Sequence, residues 1–521
     1  MSTPTPLKRK VHTLKSNQSD PFVRTVGMAL LIVFGLLLFL FLLRLSGCGR
    51  PEIVPDVGAH WHAPQSGGGV ADWIAGKDDV DDAVWDELPN PDGGRRVRDR
   101  WRYPPPVVHP VPEDRVIPSP DEHGGRLVVA GYLNVYATIE TNLRELALEI
   151  SQEFPDDFVD VISYADEYKR VTIDVKESSK KKLRAALGRR FTNVEFVFDE
   201  AVFAASHKEL MDTEQDWPWE NVQIEGAWRT TRGNPKVTVA VIDGMFDPDH
   251  AELRGRSKNN WDVPGYDGNV QFSRQLLSVN PGTASHGTHV AALVAGDQSN
   301  AQGFGGFAPD CSLMLIQLSD DEAGFYTSRI VDALFYAKHH GAGVINLSLG
   351  SVFSKAEEVA NLSEADQVSI AKTLATEEAE SWNKLFNLFA EQGIAVVKAA
   401  GNESIVAHFD PMNRSESILL VGAVDSNGIT ADFSNFGLGV DIYAPGVDIV
   451  SASANGGFMA MSGTSMAAPI AAGVVALLQS AYPNLEPDDL FKAIKESADQ
   501  GAGSIPLLNA FSAMKLLVPA A

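Results

Sequence analysis

The stretch VTVAVIDG, residues 237–244, decides the fold class. Six consecutive apolar or β-branched residues without polar alternation describe a strand buried on both faces, as in parallel sheets. The run ends on Asp243, so a carboxylate stands at the strand's C-terminal end, where open α/β sheets place their sites. Alone, a strand-end aspartate is more often a turn residue or a helix cap. Working outward, SHGTHVAALVAG (285–296) opens a tightly packed helix of small apolar residues with His286 near its head. His286 and His289 make no zinc motif, because the glutamate of HExxH is absent. GTSMAAPIAAGVVALLQSAYP (463–483) puts Ser465 at the start of a helix of alanine, glycine and valine, with Pro469 in its opening turns. By itself a serine there is an N-cap.

Together the three residues say more. Asp243, His286 and Ser465 follow in that order, 43 and 179 residues apart, each inside a short glycine-flanked motif. This is one of the known chain orders of a Ser-His-Asp triad. The sequence resembles the subtilisin-like serine proteases in VAVIDG (239–244), HGTHVA (286–291), INLSLG (345–350) and AAGNE (399–403). DFSNFG (432–437), YAPGVDIVSA (443–452), the GTSMAAP around Ser465 and LLNAFSAMKLL (507–517) continue the resemblance in family order. It covers residues 215–521 and implies an α/β catalytic domain: a doubly wound, mostly parallel sheet with helices on both faces.

The resemblance also implies roles. Ser465 Oγ attacks the scissile carbonyl, His286 carries the proton, and Asp243 orients the imidazole. Asn402 aims its amide at the tetrahedral oxyanion, beside the backbone N–H of Ser465. Ser348, Leu349 and Gly350 match the strand that pairs with an extended substrate. Glu403 falls near the rim of the primary specificity pocket, where a carboxylate favours lysine or arginine before the scissile bond. Lys398 is the candidate to neutralise it. The family default, a broad preference for large apolar residues, is expected to remain the main term.

Several features depart from the family or stand apart from the chemistry. Gly244 follows Asp243 where serine or threonine is common. From Gly350 to Asn402 the chain is longer than in compact members, and the glutamate-rich extra segment, residues 351–380, reads either as a wall of the cleft or as a solvated decoration. Trp382, Leu385, Phe386 and Phe389 recur at helical spacing and read as core. Cys311 heads an apolar strand and reads as a buried, inert thiol. Asp247, Asp249 and Glu252 match no EF-hand spacing, so no metal or other cofactor is expected, although some family members bind structural calcium.

Residues 127–199 alternate as strand, helix, strand, strand, helix, strand, the order of a small ferredoxin-like split-βαβ unit. Nothing in it carries chemistry. Its place before the protease-like part implies, by family resemblance, a propeptide-type domain at 126–205 that assists folding and blocks the cleft. An accessory domain that stays attached is the other reading.

The chain has 521 residues and a formal charge of −25. So acidic a balance excludes a general nucleic-acid binder, which needs a basic footprint. Residues 26–43 carry no charge and are long enough as a helix to cross a bilayer. Lys8, Arg9, Lys10, Lys15 and Arg24 precede them, which keeps that end cytoplasmic and exports the rest. Leu45, Ser46, Gly47 and Cys48 resemble the lipobox of bacterial lipoprotein signal peptides. Two readings stay open for residues 1–48: lipidation at Cys48, or an uncleaved single-span anchor. Both make the protein extracytoplasmic and membrane-tethered. Residues 49–125, rich in proline, glycine and aspartate, read as a linker. The function expected is an exported serine endopeptidase acting on polypeptides. The rival is a catalytically silent relative that binds peptides in the same groove.

Overall fold

The computed structural model describes residues 111, 113–119, 125–166, 168–205, 208–210, 217–299, 305–319 and 325–517. The apolar segment 26–43, Cys48 and nearly all of the linker lie outside the described residues.

Strand β1 (Val116–Pro118) is followed by β2 (Leu127–Ala137), helix α1 (Leu143–Glu153), β3 (Phe158–Ala165), β4 (Arg170–Val175), α2 (Glu177–Arg190) and β5 (Val194–Ala205). The last six elements make an antiparallel sheet in the order β5-β2-β4-β3. That is the split-βαβ topology expected from the alternating pattern. Leu143, Leu146, Ala147 and Ile150 form the buried face of α1. Asn142 caps the helix by accepting from the N–H groups of Arg144 and Glu145. β1 falls in the stretch read as linker, yet it pairs with β2 as an edge strand, where a proline removes no inner ladder bond.

After β6 (Lys208–Leu210) come two short helices, α3 (Trp217–Val222) and α4 (Ile224–Trp228), then β7 (Thr238–Asp243) and β8 (Trp261–Asp262). α5 (Arg274–Val279), α6 (Pro281–Ala295), β9 (Ser312–Gln317), β10 (Phe325–Tyr326) and α7 (Thr327–His339) follow. β11 (Val344–Leu347) and β12 (Leu349–Ser351) lead into α8 (Ala356–Ala360), α9 (Glu364–Ala371) and α10 (Thr376–Ala390). The remainder is β13 (Ala395–Ala399), β14 (Ile418–Val424), β15 (Ile442–Pro445), β16 (Ile449–Ala452), β17 (Phe458–Ser462), α11 (Thr464–Ala481), α12 (Pro487–Glu496), β18 (Asp499–Gln500), β19 (Pro506–Leu507) and α13 (Ala510–Leu516).

The central sheet runs β18-β19-β15-β14-β13-β11-β7-β9-β8 and is parallel except at β18–β19. Both faces are covered, as the unbroken apolar run of β7 requires. Val239 and Val241 enter one core with α6 and α11, whereas Ala240 and Ile242 enter another with α7 and α10. α11 is long and apolar enough to cross a membrane by composition. Every side chain from Thr464 to Leu478 is nevertheless buried in protein, so here that composition marks a core helix.

Trp382, Leu385, Phe386 and Phe389 are fully buried on α10, as their spacing required. The extra segment before them is not a solvated decoration. Val359, Ala371 and Leu374 pack on Ile405, Val406 and Phe409, and Gln367 accepts the Val406 N–H at 2.9 Å. It therefore braces the loop just beyond Asn402. Cys311 is buried, with Sγ 3.6 Å from Ser480 Oγ, and burial pushes its thiol pKa up.

Candidate active site

Asp243 ends β7, the third strand from one edge of the sheet, and is 1% exposed. Its Oδ1 accepts the N–H of Gly244 at 2.7 Å, so the backbone holds the carboxylate although no serine or threonine follows. His286 lies in the second turn of α6, a helix started by Pro281 and by Asn280 capping Thr283. Nδ1 of His286 stands 2.8 and 3.0 Å from the two carboxylate oxygens of Asp243. Gly287 permits this approach, because a Cβ there would collide with Met245 O and lie 3.2 Å from Asp243 Cβ.

Ser465 is the second residue of α11 and is fully buried. Its hydroxyl donates to Ser348 O at 3.1 Å, and the hydroxyl of Ser348 donates to Ser465 O at 2.9 Å. The second bond has a cause inside the helix. Pro469, four residues on, has no N–H to give the Ser465 carbonyl, and Ser348 supplies the donor.

Asn402 follows β13 by way of Gly401, whose φ of +107° suits a residue without Cβ. Thr464 donates to Asn402 Oδ1 through both its N–H (2.9 Å) and its hydroxyl (2.8 Å), while Thr464 Oγ1 accepts from Gly401 N. With its oxygen held from that side, the Asn402 side chain has a set orientation. Thr464 was not singled out in the sequence, although it sits beside Ser465 in the same motif.

Glu403 is half-buried, and its Oε2 accepts from Asn435 Nδ2 at 2.7 Å. Burial raises its pKa above the ordinary carboxylate value. Lys398 does not reach it as a partner. Its ammonium instead meets Asn413 Oδ1 at 2.6 Å, Asp410 Oδ2 at 3.3 Å and Ala399 O at 3.1 Å. Burial works to raise the pKa of Asp410, but Lys398 and two backbone N–H groups leave it below its usual value. A lysine inside the otherwise apolar strand AVVKA was the sequence signal for such a buried pair.

β12, the strand holding Leu349 and Gly350, is occupied. β5 pairs with it antiparallel, placing Ala205 opposite Leu349, Ala204 opposite Gly350 and Phe203 opposite Ser351. β10 pairs with the other edge of β5. Beyond residues 206 and 207, which are outside the described residues, β6 pairs with β17 and sets Lys208 opposite Ser462. The chain thus lies on strands at both sides of Ser465. Asp247 accepts backbone N–H groups from Asp249 and Asn455. Among the described residues no group of three His, Cys, Asp or Glu is arranged around a metal position.

The profile of the Subtilase family matches residues 234–511, just over half of the chain. A thermophilic serine proteinase from Bacillus sp. (strain AK1) is 36% identical over 286 residues, covering 55% of this chain and 62% of that protein. This chain therefore spans less than two thirds of that relative. Thermitase from Thermoactinomyces vulgaris is 30% identical over 285 residues, 55% of this chain and 88% of that protein. Fervidolysin from Fervidobacterium pennivorans, a keratinolytic enzyme related to subtilisin, shares the fold at a TM-score of 0.57 and 20% identity, over 74% of this chain and 61% of that one. Asp243, His286 and Ser465 all lie inside the matched profile, and the chain belongs to the subtilase family.

Proposed function

We propose that this chain is a serine endopeptidase made as a self-blocked precursor. In the reaction, Ser465 Oγ adds to the scissile carbonyl carbon as its proton passes to His286, and Asp243 stabilises the imidazolium formed. Negative charge gathers on the former carbonyl oxygen, where Asn402 and the Ser465 N–H donate. The proton goes to the leaving amine, the C–N bond breaks, and water hydrolyses the acyl ester by the same steps in reverse. The aspartate–histidine contact and the orientation that Thr464 imposes on Asn402 support this assignment.

The observation that carries the precursor reading is the pairing of β5 with β12. Residues 126–205 act as the inhibitor and folding aid, and 215–521 as the protease. The tail of the first runs through the groove of the second as a substrate strand. Ala205 lies opposite Leu349, the residue after Ser348, whose carbonyl accepts the Ser465 hydroxyl. Self-cleavage is therefore expected between Ala205 and Lys208. Export and membrane tethering through residues 1–48, with Cys48 acylated or the span retained, complete the proposal, and 49–125 serve as the spacer.

The test uses the full chain. Wild type should cut itself between Ala205 and Lys208 and then react with a fluorophosphonate probe. Ser465→Ala should stay full length and unlabelled. Identical processing of the two purified proteins would sink the self-cleavage reading. Processed wild type that takes no label would favour the silent peptide binder.

A further inference from the structure

By the family resemblance, a bound substrate puts the side chain that precedes its scissile bond between β12 and the strand end that leads to Asn402. Three buried side chains bridge β12 and that strand end. Lys398 is 0% exposed, Asn413 1% and Asp410 4%. Asp410 Oδ2 accepts the N–H of Ser351 at 3.2 Å, and a Cβ on Gly350 would lie 4.0 Å from that same oxygen. On the opposite wall, Asn413 Nδ2 donates to Ala400 O at 3.1 Å and to Ala407 O at 2.9 Å. Lys398 joins Asp410 and Asn413 across the gap. Phe409, next to Asp410 in the chain, is packed by the extra segment. Each polar group here is matched, so moving one aside to admit a larger substrate would strand its partners.

We propose that Lys398, Asp410 and Asn413 are specificity-determining residues that plug the primary pocket and restrict the residue before the scissile bond to alanine, serine or one of similar size. The inference rests on the protease reading given above. The sequence points the same way: Ala204, Ala205 and Ser206, just ahead of the expected cut, are all small. The plug also argues against the basic preference expected from Glu403. That carboxylate is engaged by Asn435, and the Lys398–Asp410 pair adds no net charge. It argues equally against the large apolar preference usual in the family.

Wild type, after self-processing, is assayed on peptides that differ only in the residue before the cleavage point: alanine, phenylalanine or lysine. The alanine peptide should be turned over with kcat/KM about tenfold or more above the others. Equal or better turnover of phenylalanine or lysine would overturn the proposal while leaving the protease reading intact. No turnover and no fluorophosphonate label would sink the protease reading instead. Lys398→Ala with Asp410→Ala removes both charges together, so neither is left buried alone. That variant should raise the phenylalanine-to-alanine ratio about tenfold, and an unchanged ratio in a folded protein would refute the residue assignment. A check independent of its folding is self-cleavage of the precursor. Once N-terminal sequencing of the processed protein fixes the cut, replacing the residue before it by phenylalanine should slow self-cleavage about tenfold or more while alanine there leaves it near wild type, and equal rates would count against the plug.

Discussion

Ser348 and Ser465 hold each other through two hydrogen bonds, each hydroxyl donating to the other residue's backbone carbonyl. The pairing locks the junction of β11 and β12 to the start of α11. It exists because Pro469 leaves the Ser465 carbonyl without its helical donor. Ser348→Ala should therefore cost about 1–3 kcal/mol of stability, the price of a buried acceptor left unmet. Adding Pro469→Ala restores an N–H at the right place. Urea unfolding should find the double variant more stable than Ser348→Ala alone, and the reverse order would refute this account.

Arg126 and Glu378 form a two-point ion pair, at 2.7 and 2.5 Å, with neither side chain exposed. The pair joins the strand entering β2 to the first turn of α10. Removing only one member takes from the other its nearest buried counter-ion, at a cost of about 3–5 kcal/mol. In a Ser465→Ala precursor, Glu378→Ala should lower stability to chemical denaturation by that order. Arg126→Met combined with Glu378→Leu should cost less than either single change. If the double variant were the least stable of the three, the ion pair would be a net stabiliser rather than a matched burial.

Asn402→Ala should leave substrate binding nearly intact and reduce kcat by about a hundred- to thousandfold. That magnitude is carried over from subtilisin. Steady-state kinetics on one good peptide separates kcat from KM, and a change confined to KM would remove Asn402 from the oxyanion role.

Burial first, and the nearby Arg414 second, depress the pKa of His408 from 6.5 to about 4. The folded protein thus binds a proton there less readily than the unfolded chain does. The stability this neutral imidazole contributes is complete above pH 6.5 and is lost as pH falls from 6.5 toward 4. His339 is shifted the same way by burial. Unfolding midpoints measured across that window should fall less steeply for His408→Gln than for wild type. Parallel curves would mean that His408 does not titrate with folding.

Much of this molecule was legible in one dimension, wherever the physical cause is local. The apolar run of β7 dictated burial on both faces, and the spacing of Leu143, Leu146, Ala147 and Ile150 dictated the inner face of α1. The three glycine-flanked motifs marked Asp243, His286 and Ser465 as candidates because each motif needs a particular backbone path as well as a particular side chain. What tertiary structure alone decided are the contacts between distant segments. Ala205 lies opposite Leu349, Glu378 meets Arg126 across 252 positions, and Lys398 turns to Asp410 and Asn413 rather than to Glu403. A strand's alternation says which residues face inward but not which neighbour it pairs with. A buried charge likewise announces that it needs a partner without naming one, because that partner is set by how the layers stack.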